Sequence, residues 1–415
     1  MSEDMQPVSD RAQTLQRYRQ HLGEGAARVA ESLQLPVEAY GEGAYVWDDT
    51  GRKYLQCGGY GVFLLGHRPP EVVAALHRQL DRHPVGTRTL ISAELADAAA
   101  DLTAVAPDGL DRVYFACTGA EAVEAAIKIA RANGRRRVIA MKGGFHGKTL
   151  GALSATDRLA FRQPFQPLLP GVERVGYGDV EALSALLAEG PPACVIIEPV
   201  QGEGGVRIPP PGYLSEVARS CADHGALLIV DEIQTGLGRL GSWWGWDGSV
   251  GQPDMFLVGK ALGGGCVPVS AVLCTAEAFR PLERNPRLHS STFSGYPLGM
   301  VAARATLQVM REQDVPARAA VLGAQVRELV DSAATAAPEA TVKEIRSQGL
   351  LIGVEFTRGE HAGAFSRALL GAGVIPTSSL GADTVVRLTP PVVLEDPDLK
   401  WLGAALSEAF SALAG

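Results

Sequence analysis

The chain has 415 residues, 46% hydrophobic and 20% charged, which is enough apolar material for a large core with a smaller second domain beside it. Its formal net charge of −8 and the lack of a basic face argue against a nucleic-acid partner, because neutralising phosphates requires one. No apolar run approaches the roughly 18 residues of a membrane helix, and the polar opening MSEDMQPVSDRAQTLQRYRQHLG has no signal-peptide core, so a cytoplasmic protein without membrane contact is expected.

The opening segment to about Gln34 reads as an amphipathic helix, and AYVWDDTGRKYLQC (Ala44 to Cys57) as a hairpin turning at Asp49-Thr50-Gly51. EVVAALHRQLDRH and LISAELADAAADLTAV then carry helical spacing. From there the pattern alternates. Strand-like runs at RVYFAC, RRVIAMK, ACVIIEP, ALLIVDE, MFLVGK and VSAVLCT are mostly separated by helical stretches. Near-continuous hydrophobic strands of this kind predict an α/β fold with a mostly parallel sheet covered by helices on both faces. Ligands in such folds bind beyond the carboxyl ends of the strands. The six cysteines (Cys57, Cys117, Cys194, Cys221, Cys266 and Cys274) show no metal-ligand spacing and read as reduced packing residues, so no metal site is expected.

Polar residues gather where the strands end. After RVYFAC, Thr118-Gly119-Ala120-Glu121 opens a helix whose start is a ready phosphate cradle, with Glu124 and Lys128 spaced for a helical pair. After RRVIAMK, Gly143-Gly144-Phe145-His146 sets an aromatic ring among glycines. Asp231 and Glu232 end ALLIVDE, where a desolvated carboxylate needs a cation or strong donors. Lys260 ends MFLVGK, ahead of Gly263-Gly264-Gly265. Each feature alone has an ordinary structural reading: a helix cap, a core ring, a capping acid, a solvated lysine. Together on one sheet edge they make the inventory for pyridoxal phosphate, with Lys260 as Schiff-base partner and Asp231 on the pyridinium nitrogen.

The ordered series TGAEAVEAAIKIAR, GGFHGKTLGALSAT, IIEPVQGEGG, LLIVDEIQTGLGRLG, VGKALGGG and HSSTFSGYPLG resembles the class III, ω-type aminotransferases of pyridoxal-phosphate fold type I, and the likeness spans nearly the whole chain. FHGKTLGALSAT, FRQPFQPLLPG and PPPGYL most resemble the putrescine aminotransferase branch, with ornithine and 4-aminobutyrate aminotransferases as near relatives. The resemblance implies that Lys260 carries the cofactor as an internal aldimine and Asp231 keeps its ring nitrogen protonated. It also implies that Gln234 bonds the ring oxygen, Phe145 stacks on the ring, and Gly119 and Ala120 hold the phosphate. Thr292 would reach the cofactor of the neighbouring subunit, making a homodimer. Tyr60 would line the substrate entrance. Glu203 matches a gate glutamate and Arg387 a carboxylate-binding arginine, although a purely structural ion pair at Arg387 is the plainer reading. The glycines after Lys260 would let the backbone pass close to the ring.

The expected architecture is a large cofactor domain over residues 60–310, with a small α+β domain made of residues 1–59 and 311–415. The expected reaction moves an amino group from a ω-amine, diamine or ω-amino acid to 2-oxoglutarate, or in reverse onto an aldehyde or ketone. Tyr296 in SGYPLG and the GHRPP segment at Gly66 to Pro70 depart from the family's commoner forms and leave the donor open. A racemase, aminomutase or dialkylglycine-type decarboxylase on the same scaffold is the alternative. An NAD oxidoreductase is more remote: GLGRLG matches GxGxxG, but Asp-Glu-Ile-Gln-Thr separates it from the strand and SWWGWDG follows instead of a helix.

Overall fold

A computed structural model describes residues 10–247 and 251–414, so the first nine residues of the expected N-terminal helix lie outside it. The rest of that segment is helical in two pieces, Arg11–Arg17 running into Tyr18–Leu22, then Glu24–Ser32, separated by Gly23 at φ +98°. Strands β1 (Glu38–Glu42), β2 (Tyr45–Asp48) and β3 (Lys53–Gln56) follow as an antiparallel meander. Its second turn is the expected one: the Asp48 carboxylate accepts from the Thr50 and Arg52 N–H groups and from the Thr50 hydroxyl.

The central sheet is built from β4 (Arg112–Ala116), β5 (Arg137–Met141), β6 (Val172–Val175), β7 (Ala193–Ile197), β8 (Leu227–Asp231), β9 (Met255–Val258) and β10 (Ser270–Cys274). Their order is β4-β10-β9-β8-β7-β5-β6. All neighbours from β6 to β9 pair in parallel, while β10 runs antiparallel to both β9 and β4. Every residue of β5, β7, β8, β9 and β10 is buried, which is why these strands read as unbroken apolar runs. Helix Gly119–Ala132 covers one face through Ala122, Val123, Ala126 and Ile129, packed with Val138, Ile196, Ile229 and Leu257. The other face joins the larger core around Ile139, Val195, Val230 and Phe256. Strand β6 escaped the sequence reading because VERV is short and half polar.

Two smaller sheets complete the fold. Strands β11 (Val342–Gln348), β12 (Leu351–Phe356), β13 (Val374–Ile375), β14 (Thr377–Ser378) and β15 (Val385–Leu388) come from the last quarter of the chain. One sheet is β11-β12-β15-β14, and β13 instead joins β3 in parallel to extend the meander. No helix among the described residues is long and apolar enough to cross a membrane.

Candidate active site

Because β4, β5, β7, β8 and β9 share one direction, their carboxyl ends deliver Thr118, Gly143, Glu198, Asp231 and Lys260 to a single edge. A cavity of about 200 Å³ opens there, and its walls include Gly119, Ala120, Phe145, Asp231, Gln234 and Lys260. Six of the expected site residues therefore meet in one place.

Helix Gly119–Ala132 begins with a capping box. Thr118 Oγ1 accepts from Glu121 N, and Glu121 Oε2 accepts from Thr118 N and Cys117 N. This fixes the helix start while Gly119 and Ala120, its first two residues, present N–H groups that have no intrahelical partner. A Cβ on Gly119 would come within 2.9 Å of Ile233, so the cradle and the Asp231 strand end pack too closely for any side chain.

Asp231 is held from two sides: its Oδ2 faces His146 Nδ1 at 2.7 Å, and its Oδ1 accepts from Ile233 N at 3.1 Å. Glu198 directly follows β7, as Asp231 closes β8, and its Oε2 accepts from Phe145 N at 3.0 Å. Burial lifts the Glu198 carboxyl to about 8, with Asp231 adding to it and His146, the Phe145 N–H and Lys260 opposing. Burial works against a charged His146, but the Asp231 hydrogen bond and the charges of Asp231 and Glu198 raise its pKa overall. The sequence reading gave neither His146 nor Glu198 a role in the site. The signal for Glu198 was present: a carboxylate directly after a buried strand, the same pattern that marked Asp231.

Lys260 adopts φ +46°, a left-handed conformation uncommon outside glycine. Its side chain opens onto the cavity, yet the surrounding protein shields it from bulk water, and this desolvation lowers its pKa to about 8. Glu203 pulls that value up and Arg387 pushes it down, so both groups lie within electrostatic reach of the lysine. They form a buried ion pair, Arg387 Nη2 to Glu203 Oε1 at 2.6 Å, with side-chain exposures of 0% and 3%. Among the described residues, Arg387 Nε and Nη1 are buried without a hydrogen-bond partner, as are Gln234 Nε2 and His146 Nε2. A Cβ on Gly202 would lie 2.1 Å from Gln234 Oε1, so glycine there makes room for the amide.

The remaining expectations fall elsewhere. Tyr60 sits at φ +55°, half exposed, beside Gly61, which abuts Gln234. Thr292 is exposed and lines a separate groove of about 810 Å³ with Leu90, Ile91 and Leu95. The Glu124–Lys128 pair does not form. Glu124 instead accepts from the Gly151 and Ala152 N–H groups at the start of the next helix, and Lys128 Nζ lies 2.8 Å from His289 Nδ1. Satisfying helix-end donors outweighs an exposed ion pair worth a few tenths of a kcal/mol. Glycines 264 and 265 serve a different purpose from the expected one. They take φ +64° and +70°, and side chains there would run into Thr306, Val72 and Phe63, so they let the chain turn against neighbouring helices. GLGRLG forms turns with no helix after it, and Arg239 is buried, donating to the carbonyls of Gly61, Leu350 and Pro390. Cys57, Cys194, Cys221 and Cys274 are buried, Cys117 and Cys266 partly so, and all six are free.

The class-III aminotransferase family model matches residues 27–410. The chain belongs to the class-III aminotransferases. This aminotransferase is 33% identical to the ornithine aminotransferase from Toxoplasma gondii, over 98% of its own length and 99% of that chain, with a TM-score of 0.86. It is 27% identical to an (S)-enantioselective omega-transaminase from Thermomicrobium roseum, over 98% and 100% of the two chains, with a TM-score of 0.88. With the adenosylmethionine-8-amino-7-oxononanoate aminotransferase of Methanocaldococcus jannaschii DSM 2661 it shares 26% identity over 97% and 99%, again with a TM-score of 0.88. Class-III aminotransferases depend on pyridoxal phosphate and act on amine and keto-acid substrates. The cavity suits that cofactor: free helix-start N–H groups for an anion, a flanking ring at Phe145, a buried unpartnered amide at Gln234, and Asp231 opposite.

Proposed function

We propose that this aminotransferase takes an amino group from a ω-amine, a diamine such as putrescine, or a ω-amino acid, and passes it to 2-oxoglutarate. The observation that carries the proposal is the buried Glu203–Arg387 pair within electrostatic reach of Lys260.

In this reading Gly119 and Ala120 hold the cofactor phosphate through their N–H groups, Phe145 covers the ring, and Gln234 Nε2 donates to the ring oxygen. Asp231 holds a proton on the ring nitrogen, and His146, itself beside Glu198, keeps the Asp231 carboxylate oriented. Bound pyridoxal phosphate supplies an electron sink for the pair left behind when the amine-bearing carbon loses its proton. Lys260 Nζ, which opens onto the cavity, would take that proton and give it back. A pKa of about 8 suits this role, because the neutral amine is within reach near neutral pH.

The two substrates make opposite demands on one site. A ω-amine or diamine donor brings no carboxylate to Arg387, and Glu203 then neutralises the guanidinium. 2-Oxoglutarate brings its own, and the unpartnered Nε and Nη1 of Arg387 give it two donors once Glu203 moves aside. Tyr60 is proposed to border the entrance from the half-exposed turn beside Gly61.

The proposal also includes a cytoplasmic homodimer in which Thr292 reaches the neighbouring subunit's cofactor. The exposed groove that Thr292 shares with Leu90 and Ile91, whose side chains stand in solvent, supports such a covered face. A large domain at about residues 60–310 is supported by the central sheet, whose strands all fall between residues 112 and 274.

The test is a spectrophotometric half-reaction screen. The purified holoenzyme would be mixed with putrescine, cadaverine, ornithine, 4-aminobutyrate, β-alanine and alanine, following the visible band of the lysine-linked cofactor. Bleaching by a ω-amine and recovery with 2-oxoglutarate is the expected result; bleaching by alanine alone would overturn the donor class.

A further inference from the structure

Glu203 is gripped twice. While its Oε1 accepts from Arg387, its Oε2 accepts from the backbone N–H of Leu380 at 2.8 Å. The same turn is fastened again by Gly381 N, which donates to the Glu203 carbonyl at 2.9 Å. The approach is so close that a Cβ on Gly381 would lie 2.5 Å from that carbonyl oxygen. Gly381 has no left-handed φ, so what excludes a side chain there is space alone. The turn joins β14 to β15, the strand that carries Arg387, so both partners of the Glu203 carboxylate come from one short stretch of chain. On its outer side, Arg158 Nη2 donates to both oxygens of Asp383 at 2.7 and 2.8 Å, in an exposed ion pair.

We propose that the Leu380–Gly381 turn is a specificity-determining element that locks Glu203 onto Arg387. Because the two grips hold different oxygens, Glu203 cannot swing away from the guanidinium without also giving up the Leu380 N–H. Release of Arg387 to a substrate carboxylate therefore costs a second charge-assisted hydrogen bond, unless the turn moves as well. The turn thereby biases the site toward substrates that carry no carboxylate at that end, and it sets how well 2-oxoglutarate competes. Asp383, anchored by Arg158, limits how far the turn can move. This inference rests on the Glu203–Arg387 reading above.

The test uses the holoenzyme with 2-oxoglutarate and with butanal, an acceptor that has no carboxylate, against one amine donor. Gly381→Ala pushes the exposed turn off the buried Glu203 backbone. The expected result is a KM for 2-oxoglutarate lowered about 3- to 10-fold, as for the loss of one hydrogen bond, with KM for butanal unmoved and kcat little changed. Asp383→Asn is expected to shift the same ratio in the same direction by less, and it carries the test if Gly381→Ala fails to fold. A parallel fall in kcat with both acceptors, or an unmoved ratio in both variants while Glu203→Gln does move it, overturns the role of the turn. If Glu203→Gln itself leaves the ratio unmoved, the reading of the ion pair fails instead.

Discussion

The two ends of the site solve the problem of buried charge differently. At the Asp231 end, the carboxylate is satisfied by a histidine and a backbone N–H, and Glu198 by the Phe145 N–H; the groups fix one another in place. At the Arg387 end, a guanidinium with no exposed surface has one ion-pair partner and two nitrogens with none among the described residues. The contrast separates a constant task from a variable one. In the proposed reading one cofactor would occupy the first end throughout turnover, preorganised by these paired groups, with the unpartnered Gln234 Nε2 left to meet it. In the same reading two substrates of different charge would take turns at the second, where a fully satisfied arginine would have nothing left to offer.

Lys260 lies between the two ends, and its removal should have the largest effect. Lys260→Ala is expected to abolish turnover and leave pyridoxal phosphate bound without a covalent link, seen as a changed visible spectrum and cofactor lost on gel filtration. Retained turnover would remove the proton-transfer role. Next comes the fixed end: His146→Asn takes away the charge-assisted partner of Asp231, and kcat should fall roughly 10- to 100-fold with every substrate alike. Steady-state kinetics with two donors and two acceptors checks this, and a change in acceptor preference would erase the distinction between the ends.

Arg387→Ala should do the reverse, weakening 2-oxoglutarate by about 1.5–3 kcal/mol while sparing the amine half-reaction. Loss confined to the amine side would contradict the assignment. The smallest effect measures the coupling between the ends. Attachment of pyridoxal phosphate to the apoenzyme needs neutral Lys260, so its rate should rise with pH through about 8. Glu203 stabilises the protonated lysine, so Glu203→Gln should lower the inflection; Arg387→Ala removes a repelling cation and should raise it. Stopped-flow absorbance over a pH series would show both shifts, and an inflection that neither variant moves would place the pair out of the lysine's reach.

How legible each part was in the sequence follows the same physics. Strands buried on both faces announce themselves as unbroken apolar runs, and the residues just beyond them could be assigned to one edge before any coordinates. Antiparallel β10 was hidden among them because its composition matches that of a parallel strand. The strands of the last quarter were harder: β11 is mostly polar, β13 and β14 have two residues each, and β13 pairs with β3 from near the start of the chain. Helical spacing suggested Glu124–Lys128, but tertiary contacts gave Glu124 better donors. His146 was passed over beside Phe145 because a lone histidine next to a ring carries no pattern; only the fold brings it to Asp231. Backbone grips such as that of Leu380 on Glu203 have no signature in residue type at all.

The most direct test of the central claim, that one site passes an amino group from a ω-amine to a keto acid, is isotope transfer. The holoenzyme would be incubated with a donor whose terminal amino nitrogen is labelled, together with unlabelled 2-oxoglutarate, and the products read by mass spectrometry. Labelled glutamate forming in step with loss of the amine is the predicted result. Consumption of the amine with no label in glutamate would contradict it.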